Sequence, residues 1–253
     1  MVLVADLQAP VMSASDPKTN RLIGMLTPAE FERWSPLLER VEMPLGQVLY
    51  ESGRTPKHVY FPTTAIVSLL YSMASGASAE VAVIGNEGFV GVFLLTSGGV
   101  ATCPAVVQSS GVGFRLDASV IKDEVGRAGP AMQLLLRYSQ ALITQLSQTA
   151  VCNRHHSLDQ QLCRRLLSSL DRQTGIELAT TQEQMATLLG VRREGVTEAA
   201  IKLQTAGLIR YTRGRIRVLD REGLQQRACE CYEVVKKEYD RLLPSYSSTA
   251  QSG

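Results

Sequence analysis

Between residues 41 and 117 apolar positions come in short alternating runs, at 48–50, 58–61, 66–71, 81–84, 106–107 and 112–116. Gly46, Gly53, Gly76, Gly85 and Gly88 separate several of them. Runs this short, rich in β-branched residues and spaced roughly ten residues apart, predict an antiparallel sandwich or barrel. On either side the period becomes helical. Upstream, Thr27-Pro28 followed by Phe31, Trp34, Leu37 and Leu38 predicts a capped amphipathic helix with Pro in its first turn. Downstream, Gly129-Pro130 opens a long helix in which Met132, Leu135, Leu142, Leu146 and Thr149 keep a seam that Leu134, Tyr138, Ala141 and Ile143 widen. A helix apolar on two sides needs two partners, here expected to be the β-domain and the same helix of a second chain. After Asn153 another helix carries Leu158, Leu162, Leu166, Leu167 and Leu170 on one face and Arg164-Arg165 on the other.

The stretch from Thr180 to Leu219 is the most specific in the chain. Thr181 and Gln184 fit a capping box, with the hydroxyl and the amide side chain each satisfying the other residue's backbone N–H. Met185, Leu188 and Leu189 make the inner side of the short helix that follows, Ala186 is small where a helix would cross, and Gly190 tolerates the positive φ that ends it. A second helix then places Val196, Ala199, Ala200 and Leu203 inward and ends at Gly207. That leaves Arg192, Arg193, Glu194, Thr197 and Glu198 on its exposed first turns. Ala186, Gly190, Val191 and Val196 stand at the offsets of a helix-turn-helix. Ile209 and Tyr211, then Ile216 and Val218, alternate with Arg210, Thr212, Arg215 and Arg217 around Arg213-Gly214, predicting a hairpin whose polar side is almost all arginine. From Arg192 to Arg221 there are eight Lys/Arg (192, 193, 202, 210, 213, 215, 217, 221) against three Asp/Glu (194, 198, 220). Such an excess suits phosphate oxygens, so the whole predicts a winged helix-turn-helix for duplex DNA.

Charge agrees with that assignment. Residues 1–149 carry ten basic and twelve acidic groups, a balance of −2; residues 150–253 carry sixteen and twelve, a balance of +4. The polyanion partner therefore belongs to the C-terminal part. No apolar run reaches the ~18 residues of a membrane span, and the first twenty residues lack the pattern of a signal peptide, so a cytoplasmic protein without membrane contact is expected. Five cysteines with no Cys-x-x-Cys predict neither a disulfide framework nor a zinc site. Cys229 and Cys231, two apart in a helical pattern, are expected on different faces. His58, His155 and His156 are too few and scattered for a cupin-type metal enzyme, and the last two are expected at a helix junction. No metal or cofactor is expected. No nucleophile–base pair or carboxylate pair stands in a recognisable setting, so an enzyme is not expected either.

The order of parts resembles the family of the cyclic AMP receptor protein and the fumarate/nitrate regulator (CRP/FNR). The resemblance runs from about Leu22 to Leu224. It is carried by Thr181-Gln182-Glu183-Gln184-Met185-Ala186, Leu189-Gly190-Val191-Arg192-Arg193-Glu194 and Ala206-Gly207-Leu208-Ile209. It implies an α+β chain: a flexible arm over 1–20, a cyclic-nucleotide-binding-like jelly roll (β-roll) over 21–128, a dimerisation helix over 129–153, a winged helix-turn-helix over 154–222, and a C-terminal helix with a loose tail over 223–253. The implied protein is a homodimeric transcription regulator on a palindromic site. RNA polymerase and a small-molecule effector of unknown identity are its further partners, and Thr181, Gln182, Arg192, Arg193, Glu194, Thr197, Glu198, Arg210, Arg213 and Arg215 are its DNA-binding residues. The chain departs from the nucleotide-binding members, in which a Glu follows Phe-x-Gly and an Arg comes about ten residues later. Here Phe89-Val90-Gly91 is followed by Val92, and Thr102-Cys103 stands where Arg-Ser is expected. Without those charges a buried cyclic phosphate has no partner, so cyclic AMP is not the expected effector. No cysteine precedes Cys103, which excludes the N-terminal cluster of the iron-sulfur members, and Cys103 has no nearby His for haem. The alternative is a ligand-binding or protein-interaction module that keeps the fold without specific DNA binding.

Overall fold

The computed structural model describes residues 15–96, 99–173 and 175–244. Residues 1–14 of the expected arm and 245–253 of the expected tail lie outside the described residues. Residues 15–20, also expected in the arm, are instead built into the fold. Asp16 caps a single 3-10 turn, Pro17–Thr19, and Asn20 is buried, its amide donating to the carbonyls of Pro62 and Gly88, each at 2.8 Å. Helices α1 (Arg21–Gly24) and α2 (Pro28–Trp34) follow, α2 opening with the capping box Thr27/Glu30. It stops at Trp34 rather than continuing to Leu38, because Pro36 turns the chain into a short 3-10 segment that leaves Leu37 exposed.

Among the described residues seven strands make the β-domain: β1 (Glu39–Met43), β2 (Val48–Tyr50), β3 (His58–Pro62), β4 (Ile66–Ser72), β5 (Ser78–Ile84), β6 (Ala105–Ser109) and β7 (Gly111–Asp117). They pair antiparallel in two sheets, ordered β1-β7-β3 and β2-β6-β4-β5. Val59, Phe61, Val67, Leu69, Ile84, Val107, Phe114 and Leu116 bury their side chains in the shared core. A helix not foreseen from the apolar period, α3 (Ala118–Arg127), starts where Asp117 caps the amide of Ser119. Ala128 then takes a left-handed conformation, φ 50°, and releases the chain into α4 (Pro130–His155).

The remaining elements are α5 (Leu158–Leu170), β8 (Glu177–Ala179), α6 (Gln182–Leu189), α7 (Arg193–Thr205), β9 (Ile209–Thr212), β10 (Arg215–Val218), α8 (Arg221–Arg227) and α9 (Cys231–Leu242). Helices α5 to α8 and the sheet β8-β10-β9 enclose a second core of Leu162, Leu166, Met185, Leu189, Val196, Leu203, Ile209, Ile216 and Leu224. Helix α9 touches that second core through Tyr232 at its start and returns to the first core through Tyr239 and Leu242, with Leu243 just beyond it. A run of aromatic contacts, Trp34–Phe61–Phe89–Tyr138–Tyr239, with centroids 5.2–6.4 Å apart, crosses from α2 through the sandwich to α4 and α9. Gly88 is required there: a Cβ would lie 2.3 Å from the Tyr138 ring.

Among the described residues two buried ion pairs join the domains. Arg165 of α5, expected on a solvated face, is 4% exposed; its Nε lies 2.8 Å from Glu80 Oε1, and its Nη2 donates to Glu80 Oε2 at 3.0 Å and to Gln108 Oε1 at 2.5 Å. Arg172 donates from Nε to Glu87 at 2.7 Å and from Nη2 to Gln145 at 3.1 Å. Burial opposes both charges. At Arg165 it lowers the pKa despite Glu80, whereas at Arg172 the Glu87 carboxylate outweighs it and raises the pKa.

On α4, Ala131, Leu134, Leu135, Tyr138, Ala141, Leu142 and Gln145 are buried within the chain, whereas Leu136, Ile143 and Val151 are exposed. Leu142, placed in the apolar seam by its spacing, is a core residue of its own subunit.

Candidate nucleic-acid interface

The reciprocal cap at the start of α6 forms as the sequence predicts: Thr181 N donates to Gln184 Oε1 at 2.9 Å and Gln184 N to Thr181 Oγ1 at 3.1 Å. Met185, Ala186, Leu188 and Leu189 are buried, and Gly190 ends the helix at φ 66°. Helix α7 follows after three residues, Gly190, Val191 and Arg192. Its inner side is Val196, Ala199, Ala200 and Leu203, and Gly207, φ 74°, completes its exit. Thr197 Oγ1 donates to Gln182 Oε1 at 2.9 Å, a bond that ties the exposed start of α7 to the first turn of α6.

The hairpin has the register of a two-residue turn, with Thr212 opposite Arg215 and Gly214 at φ 70°. Ile209, Ile216 and Val218 point into the second core, and Arg210, Arg213, Arg215 and Arg217 point out. Gly214 accepts from Thr180 N at 2.9 Å, so the tip of the wing also abuts the beginning of α6. A third strand, for which the apolar period gives no sign, joins the hairpin. β8 pairs with β10 and brings Glu177 opposite Arg217, 3.7 Å from Arg215 Nη1 and 4.0 Å from Arg217 Nε. Leu178, its single buried position, is too short a signal to mark a strand.

The ten expected contact residues thus occupy three connected segments. Thr181 and Gln182 open α6. Arg192, Arg193, Glu194, Thr197 and Glu198 line the first turns of α7. Arg210, Arg213 and Arg215 belong to the wing. Gln182 and Thr197 are half-buried and the other eight exposed. Among the described residues, Arg192, Arg193, Arg210 and Arg213 form no ion pair, so their charge is uncompensated. Glu198, by contrast, pairs with Lys202 at 3.1 Å one turn on. That bond, helped by the charge of Asp159, raises the lysine pKa. Gly195 faces inward: a Cβ there would meet Leu158 Cδ2 of α5 at 2.9 Å, so its small size serves packing rather than approach to a ligand.

In the sandwich, Val92 begins a 3-10 turn, Val92–Leu95, after Gly91, whose φ of 125° few other residues adopt. Leu94 and Leu95 are buried, Phe93 meets the Tyr50 ring edge-on at 5.2 Å, and burial raises the pKa of the Cys103 thiol. These apolar neighbours offer no cation to an anion.

Among the described residues a β-sandwich, a long helix and a winged helix-turn-helix with an arginine-rich exposed side follow one another along the chain. Residues 160–227 match the Crp-like helix-turn-helix domain. The fold is shared with a protein from Eubacterium rectale described as a transcriptional regulator of the CRP/FNR family (TM-score 0.64, 17% identity, covering 81% of this chain and 96% of that one). It is shared also with FixK2 from Bradyrhizobium japonicum (0.63, 15%, 76% and 98%). A CRP/FNR-family transcriptional regulator from Thermus thermophilus is similar as well (0.57, 21%, 75% and 98%). No curated protein sequence matches the chain. Among the described residues no helix is long and apolar enough to cross a membrane.

Proposed function

We propose that this chain acts as a homodimer that recognises a palindromic DNA site, with α7 in the major groove and the wing on the flanking phosphates. The observation that carries the reading is the group of unpaired arginines on α7 and the wing, both joined to the first turn of α6. Arg193 has the donors for O6 and N7 of a guanine, and Glu194 can accept from a cytosine amino group. Glu198 has no hydrogen-bond donor and pairs with Lys202, so it cannot replace an arginine contact, and the half-site differs at the base pair that such an arginine would read. Dimerisation uses the outer stripe of α4, where exposed Leu136, Ile143 and Ala150 alternate with half-buried Met132, Ser139 and Leu146 at three- and four-residue steps. The β-domain is regulatory and does not use cyclic AMP, since Val92 and Thr102 leave the cyclic phosphate without a counter-charge. RNA polymerase and an unidentified small effector are the further partners this reading implies. Selection of bound duplexes from a random pool tests it: a symmetric consensus with half-sites about one helical turn, ~34 Å, apart is expected. Enrichment of no sequence over bulk DNA would overturn it in favour of a module that does not bind DNA specifically.

A further inference from the structure

Cys152, His156, Cys229 and Cys231 meet where α4 ends and where the chain passes from α8 to α9. Their four ligand atoms all lie within 4.8 Å of one another. Cys152 Sγ is 3.5 Å from Cys229 Sγ, and Cys231 Sγ is 3.5 Å from His156 Nδ1. The three thiols are almost wholly buried, form a small cluster separate from both cores, and are not joined as a disulfide.

Local geometry explains the convergence. Cys152 lies in the last turn of α4, and His156 is the residue that caps that helix, its backbone N donating to the Cys152 carbonyl at 3.0 Å. Cys229 and Cys231 do not lie in one helix as their spacing suggested: α8 ends at Arg227, Ala228 is extended with ψ 157°, and α9 begins only at Cys231. The bend turns both thiols toward the end of α4, which corrects the expectation of different faces. Gln161 fixes the other wall, its amide donating to the carbonyls of His156 at 2.9 Å and Cys152 at 3.4 Å.

We propose that these four residues hold a structural zinc ion that fastens the end of α4 to the link between α8 and α9. With zinc bonds of about 2.3 Å to sulfur and 2.0–2.1 Å to nitrogen, tetrahedral ligand atoms sit about 3.5–3.8 Å apart. Two of the contacts already have that length, and small side-chain rotations close the rest. Three thiolates and one imidazole are the donor set of closed zinc sites, with no position left for water or substrate. The surroundings also fit. His156 Nε2 lies 3.3 Å from Glu230 Oε1, the carboxylate–histidine arrangement that holds the proton on Nε2 and leaves the Nδ1 lone pair for a metal. Zinc with three thiolates carries a net charge of −1. The guanidinium of Arg164 acts electrostatically on Cys152 and Cys231, and its buried Nε has no hydrogen-bond partner among the described residues. On binding, each cysteine exchanges its S–H bond for an S–Zn bond and releases a proton to solvent.

The position gives the ion its role. Leu224 anchors α8 in the second core, while Tyr239 of α9 stacks edge-on against Tyr138 of α4, and Asp240 pairs with Arg21 at 3.2 Å. Zinc between them fixes the DNA-binding domain against the proposed dimer helix.

The test uses the full chain purified under reducing conditions. Elemental analysis should find one zinc per chain. Cobalt(II) in its place should show the tetrahedral ligand-field bands and sulfur-to-metal charge transfer of a thiolate site. Chelation should lower the melting temperature by several degrees, and Cys229→Ser and Cys231→Ser should each lose most of the metal while Cys103→Ser keeps it. Should those serine variants fail to fold, the metal content and cobalt spectrum of the unaltered chain still decide. A reduced, folded chain that takes up neither zinc nor cobalt would overturn the proposal, as would a Cys152–Cys229 disulfide in the freshly purified protein.

Discussion

Arg193 and Arg213 carry the same charge and have different roles in the proposed complex, and substitution separates them. Arg193 stands on the first turn of α7, where a bidentate contact to guanine is read from the major groove. Arg193→Ala should cost ~1–3 kcal/mol and relax one guanine position in selected sequences. Arg213 sits at the tip of the wing. Arg213→Ala should weaken all duplexes alike and reduce the slope of log affinity against log salt by about one. An unchanged consensus in the first variant, or a loss confined to one base pair in the second, would remove that residue from its role. Glu124 gives a third residue-scale expectation. Burial raises its pKa, but hydrogen bonds from Arg33, Trp34 and Arg127 outweigh burial and hold it below the ordinary glutamate range. A carboxylate depressed in the folded state stabilises above its unfolded pKa of ~4.3, and the benefit is lost as pH falls through the folded value. Melting temperatures of wild type and Glu124→Gln should therefore differ near neutral pH and converge in acid below pH ~4.

Among the elements, α4 shows how one helix serves two surfaces. Its inner side closes the first core, with Tyr138 inserted over Gly88; its outer side leaves Leu136 and Ile143 about half exposed, at 49% and 55%. Leu136→Asp with Ile143→Asp should give a monomer by sedimentation whose melting temperature is close to that of the undimerised wild type. Leu142→Asp should instead unfold the subunit, because it buries a charge with no partner in the first core. If the outer double variant remains dimeric, the stripe is not the interface.

For the whole molecule, the ion pairs Glu80–Arg165 and Glu87–Arg172 matter most, since they cross between the cores. Each charge is buried, so removing one partner strands the other. Arg165→Met should destabilise by ~3–5 kcal/mol in denaturant unfolding, and adding Glu80→Leu should recover much of the loss. A single variant as stable as wild type would show that the joint contributes nothing. The pairs also bias where the DNA-binding domain rests: α6 ends against β5, with Gly190 where a Cβ would meet Ala79 at 3.0 Å.

What the sequence determined by itself is local. Thr181 with Gln184, Gly190, Gly207 and Gly214 act within one turn of chain, by capping or by tolerating positive φ, so α6, α7 and the wing were legible with their boundaries. Alternation likewise marked β2 to β7, because a half-buried strand repeats every two residues. Weak local signals hid α3, with few apolar positions, and β8, only three residues long. The tertiary structure alone decided the rest. Arg165 looks like a solvated residue until β5 supplies Glu80, 85 positions away. Gly195 is small because of Leu158, and Leu142 belongs to its own core rather than to a partner. Cys152 and Cys229 meet across 77 positions, because a break after α8 turns the chain back onto α4. Contacts between distant segments depend on how whole elements pack, and the periodicity of each element alone carries no record of that packing.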